Sequence, residues 1–292
     1  MDNKYWIWLS RIKKLTSIKK EILLKRFKSP KNIWDLSKND LTKVKELNIE
    51  EIKEILNKNY REKIEIFQEY LIKNEINIVT MFDKQYPYNL KNIYDKPVIL
   101  FTKGNLELLN KKGVAIVGSR ECTSYGENIA RKLAYDLAKN NICVISGLAR
   151  GIDKYAHIGA LEAKGNTIAV IGNGLDVVYP YENKNLYERI IENNGLIVTE
   201  YIVGTRPNKM NFPARNRIIS GLSDGIVVVE AKEKSGALIT ADFGLEQGRE
   251  IYAVPGNINE ENSKGTNELI KQGANILTTY EDILKTHIFW KF

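Results

Sequence analysis

The chain has 292 residues, 43% of them hydrophobic, and carries 44 Lys and Arg against 36 Asp and Glu, a formal charge of +8. That length holds one large domain and one small one with ample core, and no apolar run approaches the ~20 residues of a bilayer span. Trp6 to Leu9 are not followed by the long apolar stretch and small-residue cleavage site of a secretion signal, and Cys122 and Cys143 show no CxxC spacing, so a reducing cytoplasmic setting without a zinc site is expected.

Residues 1–75 read as a small helical domain. Leu9, Ile12 and Leu15, then Ile22, Leu23 and Phe27, then Ile52, Ile55 and Leu56 recur at helical spacing, with turn signals at Ser29-Pro30 and Ser37 to Asp40. Short helices with small connectors are of the SAM-like or helix-hairpin-helix kind, although the glycine-containing hairpin of a DNA-binding version is missing. This stretch holds 18 Lys and Arg against 12 Asp and Glu, concentrated in Lys13-Lys14, Lys19-Lys20 and Lys25-Arg26-Phe27-Lys28. Such an excess fits either a polyanionic partner or a solvated helix face. Residues 76–109, with Pro97-Val98-Ile99-Leu100-Phe101, read as an extended connector bearing one strand that leads into the next domain.

Residues 110–292 read as an α/β domain. Six short β-branched runs end on a glycine, serine or acidic turn: Val114 to Val117, Ile142 to Ile145, Ile168 to Ile171, Leu196 to Val198, Ile226 to Val229 and Ile251 to Val254. Runs with so little alternation are parallel strands covered on both faces. Between them lie segments of helical spacing, such as Ile129, Leu133, Leu137 and Ala138. The expected fold is a Rossmann-like, doubly wound, mostly parallel sheet that binds ligands at the carboxyl ends of its strands, where backbone amides and helix N-termini suit phosphate.

The turns on that edge carry the candidate chemistry. Gly118-Ser119-Arg120 offers turn amides, a hydroxyl and a guanidinium to a phosphate. It is not a GxGxxG fingerprint, and no acidic residue closes the next strand, so NAD is not the expected ligand. In Ser146-Gly147-Leu148-Ala149-Arg150-Gly151-Ile152-Asp153, two glycines bring backbone close to a ligand, and Asp153 is expected to cap or buttress the loop. Asp153 and His157 share a helix face, but with two histidines in the chain and no third ligand this spacing predicts no metal site. Gly172-Asn173-Gly174 runs into Tyr179-Pro180-Tyr181 and Lys184, combining a flexible loop, aromatic faces and a cation as single-stranded nucleic acid requires. Phe212-Pro213-Ala214-Arg215-Asn216-Arg217 sets two arginines before an apolar helix, near Arg206 and Lys209. Either arginine is suited to phosphate, or to anchoring on a carboxylate such as Glu200 or Glu230. No catalytic triad, paired carboxylates or Walker lysine is legible, which favours a binder over an enzyme.

These segments together resemble the bacterial DNA-processing protein A (DprA, or Smf) family. The resemblance rests on VAIVGSR (114–120), SGLARGID (146–153), TIAVIGNGLDVVYP (167–180), FPARNRIISGLS (212–223) and SGALITADFGLEQGREIYAVPG (235–256), and it runs from about Ile78 to Leu284. It implies a protein of natural transformation that binds and protects incoming single-stranded DNA and loads the RecA recombinase onto it, without enzymatic activity or cofactor. The implied DNA-binding residues are Gly118, Ser119, Arg120, Gly147, Asn173, Lys184, Arg215, Asn216 and Arg217. It also implies a homodimer through Leu269 and Ile270. Two positions depart from the pattern: Tyr181 stands where members often carry a basic residue, and Glu200-Tyr201-Ile202 lacks the usual proline.

An alternative is a nucleotide-processing enzyme of the lysine-decarboxylase-like family, which includes phosphoribohydrolases on a similar core. Its PGGxGTxxE signature would fall near Ser235 to Glu246, where Thr240 and Glu246 remain but the double glycine is missing.

Overall fold

The computed structural model describes residues 3–62 and 64–286; the last residues of the expected α/β domain, 287–292, lie outside the described residues. The chain opens with six helices: α1 Asn3–Arg11, α2 Ser17–Phe27, α3 Pro30–Trp34, α4 Lys38–Thr42, α5 Ile49–Ile55 and α6 Ile64–Lys73. Each turn signal in this region is a helix start. Ser29 accepts from the Asn32 amide with Pro30 in the first turn, and Ser37 with Asp40, then Asn48 with Glu51, close reciprocal capping boxes. Leu9, Ile12, Leu15, Leu23, Ile52 and Ile55 are buried, while Phe27 and Leu56 pack against the same core. Trp8 and Trp34 meet edge to face at 5.3 Å, and the Arg61 guanidinium lies 4.4 Å from the Trp34 ring centroid.

The following segment carries β1 Asn77–Thr80, α7 Tyr88–Lys91 and β2 Ile99–Gly104. It contributes two strands, one more than expected, because Asn77 to Thr80 also extends and pairs antiparallel with Ile99 to Thr102. The remainder alternates as β3 Gly113–Val117, α8 Ser124–Lys139, β4 Cys143–Ser146, α9 Ile152–Glu162, β5 Thr167–Val170, α10 Lys184–Glu192 and β6 Leu196–Thr199. It continues with α11 Asn211–Leu222, β7 Gly225–Val228, α12 Gly236–Glu246, β8 Glu250–Ala253, α13 Glu261–Lys271, β9 Asn275–Ile276 and α14 Glu281–Leu284. All six apolar runs are strands. The unexpected β9 is two exposed residues long, too short to leave a hydrophobic signature.

One sheet holds all nine strands in the order β1-β2-β6-β5-β4-β3-β7-β8-β9. It is parallel from β6 to β9, and β2 is antiparallel to both of its neighbours. Strands β3 to β7 are buried along their full length. After building outward from β3 to β6, the chain returns through α11 to place β7 on the other side of β3. That reversal opens a crevice outside the carboxyl ends of β3 and β7, where such sheets take their ligands. A single apolar core runs from Trp6 and Trp8 through Phe101 to Ile197 and Leu269, so the helical segment and the connector share the sheet's core. A second core around Val114, Ile116, Leu133 and Ala156 fills the opposite face under α8 and α9.

The crevice depends on close backbone contact between neighbouring turns. Gly151, ahead of α9, has φ 67° and ψ −129°, a combination open essentially to glycine. An added Cβ there would lie 2.2 Å from the Ser119 carbonyl oxygen. Gly151→Ala is therefore expected to lower unfolding free energy by at least about 1–3 kcal/mol, measured by denaturant titration against wild type.

Candidate nucleic-acid interface

A cavity of about 600 Å³ occupies the crevice, lined by Gly118, Ser119 and Arg120 after β3, by Tyr179, and by Phe212, Arg215 and Asn216 of α11. Its floor is set by backbone. The Ser119 amide donates to the Glu230 carbonyl at 2.8 Å, joining the ends of β3 and β7, and the Ser119 carbonyl accepts from the Ile152 amide at 3.2 Å. The buried Ser119 hydroxyl accepts from the Glu121 amide at 3.2 Å. The Glu230 carboxylate binds the amide and hydroxyl of Thr123, the N-cap of α8, and so fixes the start of that helix.

Arg120 stands out from this floor into solvent, its guanidinium 5.4 Å from the centroid of the Phe212 ring. Phe212 in turn stacks with Tyr179, centroids 5.5 Å apart and planes inclined by 24°. Lys209 and Lys234 are exposed on the cavity rim, and Lys232 is held toward Glu121 at 3.2 Å. A cation, two π-faces and flanking ammonium groups are thereby gathered from the loops after β3, β5, β6 and β7 and from the start of α11.

Arg215 plays a different part. It is buried, and its Nη1 donates to the Gly147 carbonyl at 2.7 Å and to the Val170 carbonyl, tying α11 to the ends of β4 and β5. Its Nε donates to the Asn216 side chain at 3.1 Å, and the Asn216 amide group donates to the Gly236 carbonyl at 3.2 Å. Burial pushes the Arg215 guanidinium down to about 10, opposed by the Asp153 carboxylate. Asp153 buttresses the loop as expected, accepting from the amides of Gly147 at 3.1 Å and Ala149 at 3.4 Å. Burial raises its carboxyl, against the pull of Arg215 and those amides. Gly147 is squeezed between the two groups: an added Cβ would lie 2.7 Å from Asp153 and 2.8 Å from the Arg215 guanidinium carbon.

His157 is fully buried and pushed down to about 3, first by desolvation and then by Arg215. Thr167 donates its hydroxyl to the Val144 carbonyl, so the 2.7 Å contact between His157 Nδ1 and the Thr167 oxygen requires Nδ1 to carry the proton. The imidazole is a neutral core group. Among the described residues no three or more His, Cys, Asp or Glu side chains converge as metal ligands, and no helix is long and apolar enough to cross a membrane.

The other sequence-derived candidates lie elsewhere. Asn173 is buried, its side chain donating to the carbonyls of Gly174 at 3.0 Å and Val177 at 2.5 Å, so it shapes its own loop. Lys184 is exposed at the start of α10, 3.8 Å from Glu188 and outside the cavity lining. Arg217 is buried in a bidentate pair with Glu200, both contacts 2.7 Å, and reaches Asp95 at 2.8 Å. Its guanidinium is spent on these anchors, the carboxylate role open to one of the two arginines. Leu269 lies inside the core of its own subunit, and only the half-buried Ile270 retains exposed surface. What the sequence reading missed is the Arg120–Phe212–Tyr179 array and the rim lysine Lys234, since rings and charges separated by dozens of residues leave no local pattern.

The switch-point crevice of this Rossmann-like sheet thus gathers an exposed arginine, rim lysines and two stacked rings. The chain belongs to the family described as DNA recombination-mediator protein A, whose model matches residues 77–287. It is 48% identical over 205 residues to DNA processing protein DprA of Streptococcus pneumoniae, covering 70% of this chain and 72% of that one. The X-ray structure of the S. pneumoniae protein superposes with a TM-score of 0.82 over 96% of both chains at 39% identity. DNA processing protein A from Helicobacter pylori, solved for its single-stranded DNA binding mode, superposes with a TM-score of 0.65 at 32% identity, over 72% of this chain and 94% of that one.

Buried and exposed arginines of this site make opposite demands on stability. Arg215→Ala leaves two carbonyls without their donor and Asp153 buried without its counter-charge, an expected loss of about 3–5 kcal/mol. Arg120→Ala removes one exposed cation–π contact and is expected to cost less than about 1 kcal/mol. Urea unfolding of both variants beside wild type checks the contrast.

Proposed function

We propose that this protein binds single-stranded DNA along the carboxyl edge of β3 and β7, protects it, and delivers it to the RecA recombinase, as a binder rather than an enzyme. The observation that carries this reading is the Arg120–Phe212–Tyr179 array beside Lys209 and Lys234. Unpaired bases offer π-faces that a duplex keeps stacked, and an aromatic platform with cations on its rim takes any of them while gripping the backbone. Residues 76–292 carry 26 basic against 24 acidic groups, little to hold a duplex by charge alone. The single-stranded DNA binding of the H. pylori relative supports the substrate, and the family's description as a recombination mediator supports the recombinase as the recipient.

In a fluorescence-anisotropy titration, wild type is expected to bind oligo-dT more tightly than a matched duplex. Arg120→Ala should weaken the single-strand affinity roughly ten- to hundredfold, and Phe212→Ala should do so by a similar factor through lost stacking. Equal affinity for both forms of DNA, or full binding by folded Arg120→Ala, would refute the reading. Release of free base from a nucleoside monophosphate would favour the phosphoribohydrolase alternative instead.

Self-association belongs to the same proposal. With Leu269 committed to the core, the α13 contact rests on Ile270 and its exposed neighbours. Light scattering at micromolar concentration is expected to give two subunits for wild type and one for Ile270→Asp; a monomeric wild type at all accessible concentrations rejects the dimer.

A further inference from the structure

Arg217 sits two residues beyond Arg215 on the helix that carries Phe212 and Asn216 into the cavity, yet it faces the other way. Its guanidinium joins three parts of the chain. Glu200, at the end of β6, takes both terminal nitrogens. Asp95, in the connector, accepts from Nε through its carbonyl at 3.1 Å, and its carboxylate forms an ion pair with the same nitrogen at 2.8 Å. The Ser17 hydroxyl, in the first turn of α2, accepts at 3.3 Å. The pair is almost dry, the Arg217 and Glu200 side chains being only 5% and 14% exposed. Burial works against the Arg217 charge, but Glu200 and then Asp95 outweigh it and hold the guanidinium above its ordinary range. A second latch runs parallel, with Lys96 of the connector on Glu21 of α2 at 3.1 Å. Behind α11, Arg249 donates to the Asn89 carbonyl of α7 at 3.1 Å, and Gln247 donates to the Arg217 carbonyl at 3.2 Å.

From this geometry we infer that Arg217 is a positioning residue, through which the N-terminal helical segment sets the orientation of α11 and so the DNA affinity of the cavity. The inference rests on the single-stranded DNA reading above. Arg215 and Arg217 are about 200° apart around the helix, so one fastens α11 to the loops of the sheet while the other fastens it to β6, the connector and α2. The ring and amide that α11 presents to the cavity, Phe212 and Asn216, are held between these two attachments. Loosening the Arg217 side lets Phe212 shift against Arg120 and Tyr179 although no DNA contact has been removed.

The sign of one substitution separates a positioning role from a contact role. Were Arg217 a DNA contact, Glu200→Gln would free its guanidinium, remove a negative charge and tighten binding. As a positioning residue, Arg217 loses its principal partner in Glu200→Gln, and oligo-dT affinity should fall roughly two- to thirtyfold. The slope of log affinity against log salt should stay at the wild-type value, whereas a lost phosphate contact lowers it by about 0.7. Arg217→Lys, which keeps the charge but not the fork, should fall between wild type and Glu200→Gln. Asp95→Asn, at a half-exposed partner, supplies a milder variant whose folding is less at risk. Hydrogen exchange read without DNA should show faster exchange in residues 211–217 and 17–25 of Glu200→Gln at a temperature where circular dichroism is unchanged. Unchanged or tighter oligo-dT binding by Glu200→Gln, or a salt slope reduced in Arg217→Lys, overturns the inference. So does unaltered exchange in both segments. Wild type that ignores oligo-dT while the exchange coupling is present would instead defeat the DNA reading and leave the mechanical link standing.

Discussion

A guanidinium taken out of water must find donors' partners on every side, and Arg215 finds them in the ends of two strands. Its bonds to the carbonyls of Gly147 and Val170 draw the loops after β4 and β5 toward α11, and Asp153 answers its charge while holding the amides of the same loop. The cavity is the space left over when these turns are pulled together. Its geometry is stiff because the Arg215 and Asp153 side chains are buried and a half-satisfied network in such a place is more costly than an apolar one. Exposed groups such as Arg120 and Lys209 can therefore meet a ligand without reorganising the floor beneath them, the condition under which little binding energy is lost to ordering.

Much of the fold was legible because parallel strands buried on both faces must be continuously apolar. The runs from Val114 to Val254 all became strands for that reason. The connector was read one strand short, since Asn77 to Thr80 is only four residues long with polar residues at both of its ends, and earns its pairing only from Ile99 to Thr102. The site was legible at Gly118-Ser119-Arg120, where sequence order and spatial order coincide at a strand end. It was not legible in Arg215-Asn216-Arg217, because an arginine that contacts phosphate and one that anchors a helix have the same local chemistry. What decides between them is the presence of Gly147, Val170, Glu200 and Asp95, which only the folded chain brings alongside. Asn173 illustrates the same limit on the loop side, its amide consumed by carbonyls one and four residues ahead.

Charge counting over the first 75 residues likewise overstates what is available to a partner. Lys14 meets Glu50, Lys19 meets Glu51 and Lys25 meets Glu21, so part of the basic excess is answered within the helices themselves. The pair exposed on both sides, Lys14 with Glu50, contributes little to stability and is screened by salt, but all three lower the field the region projects. The helical segment is better described by its apolar continuity with the sheet, from Trp6 and Ile7 into Phe101 and Ile197, than by its net charge.

The antiparallel seam between β2 and β6 joins residues roughly a hundred positions apart, Phe101 with Thr199, and Ser17 meets Arg217 across 200 residues. On the ribosome the N-terminal helices and the β1–β2 hairpin emerge first, with one edge of β2 open until β6 has been made. Such long-range closures are slow, since the loop entropy must be lost before the contacts can form. The bond from α2 to α11 is therefore among the last to be drawn tight. A nascent chain can assemble much of its sheet and still leave the cavity-facing helix α11 unset, so the attachment at Arg217 reports that the N-terminal helices have closed onto the sheet.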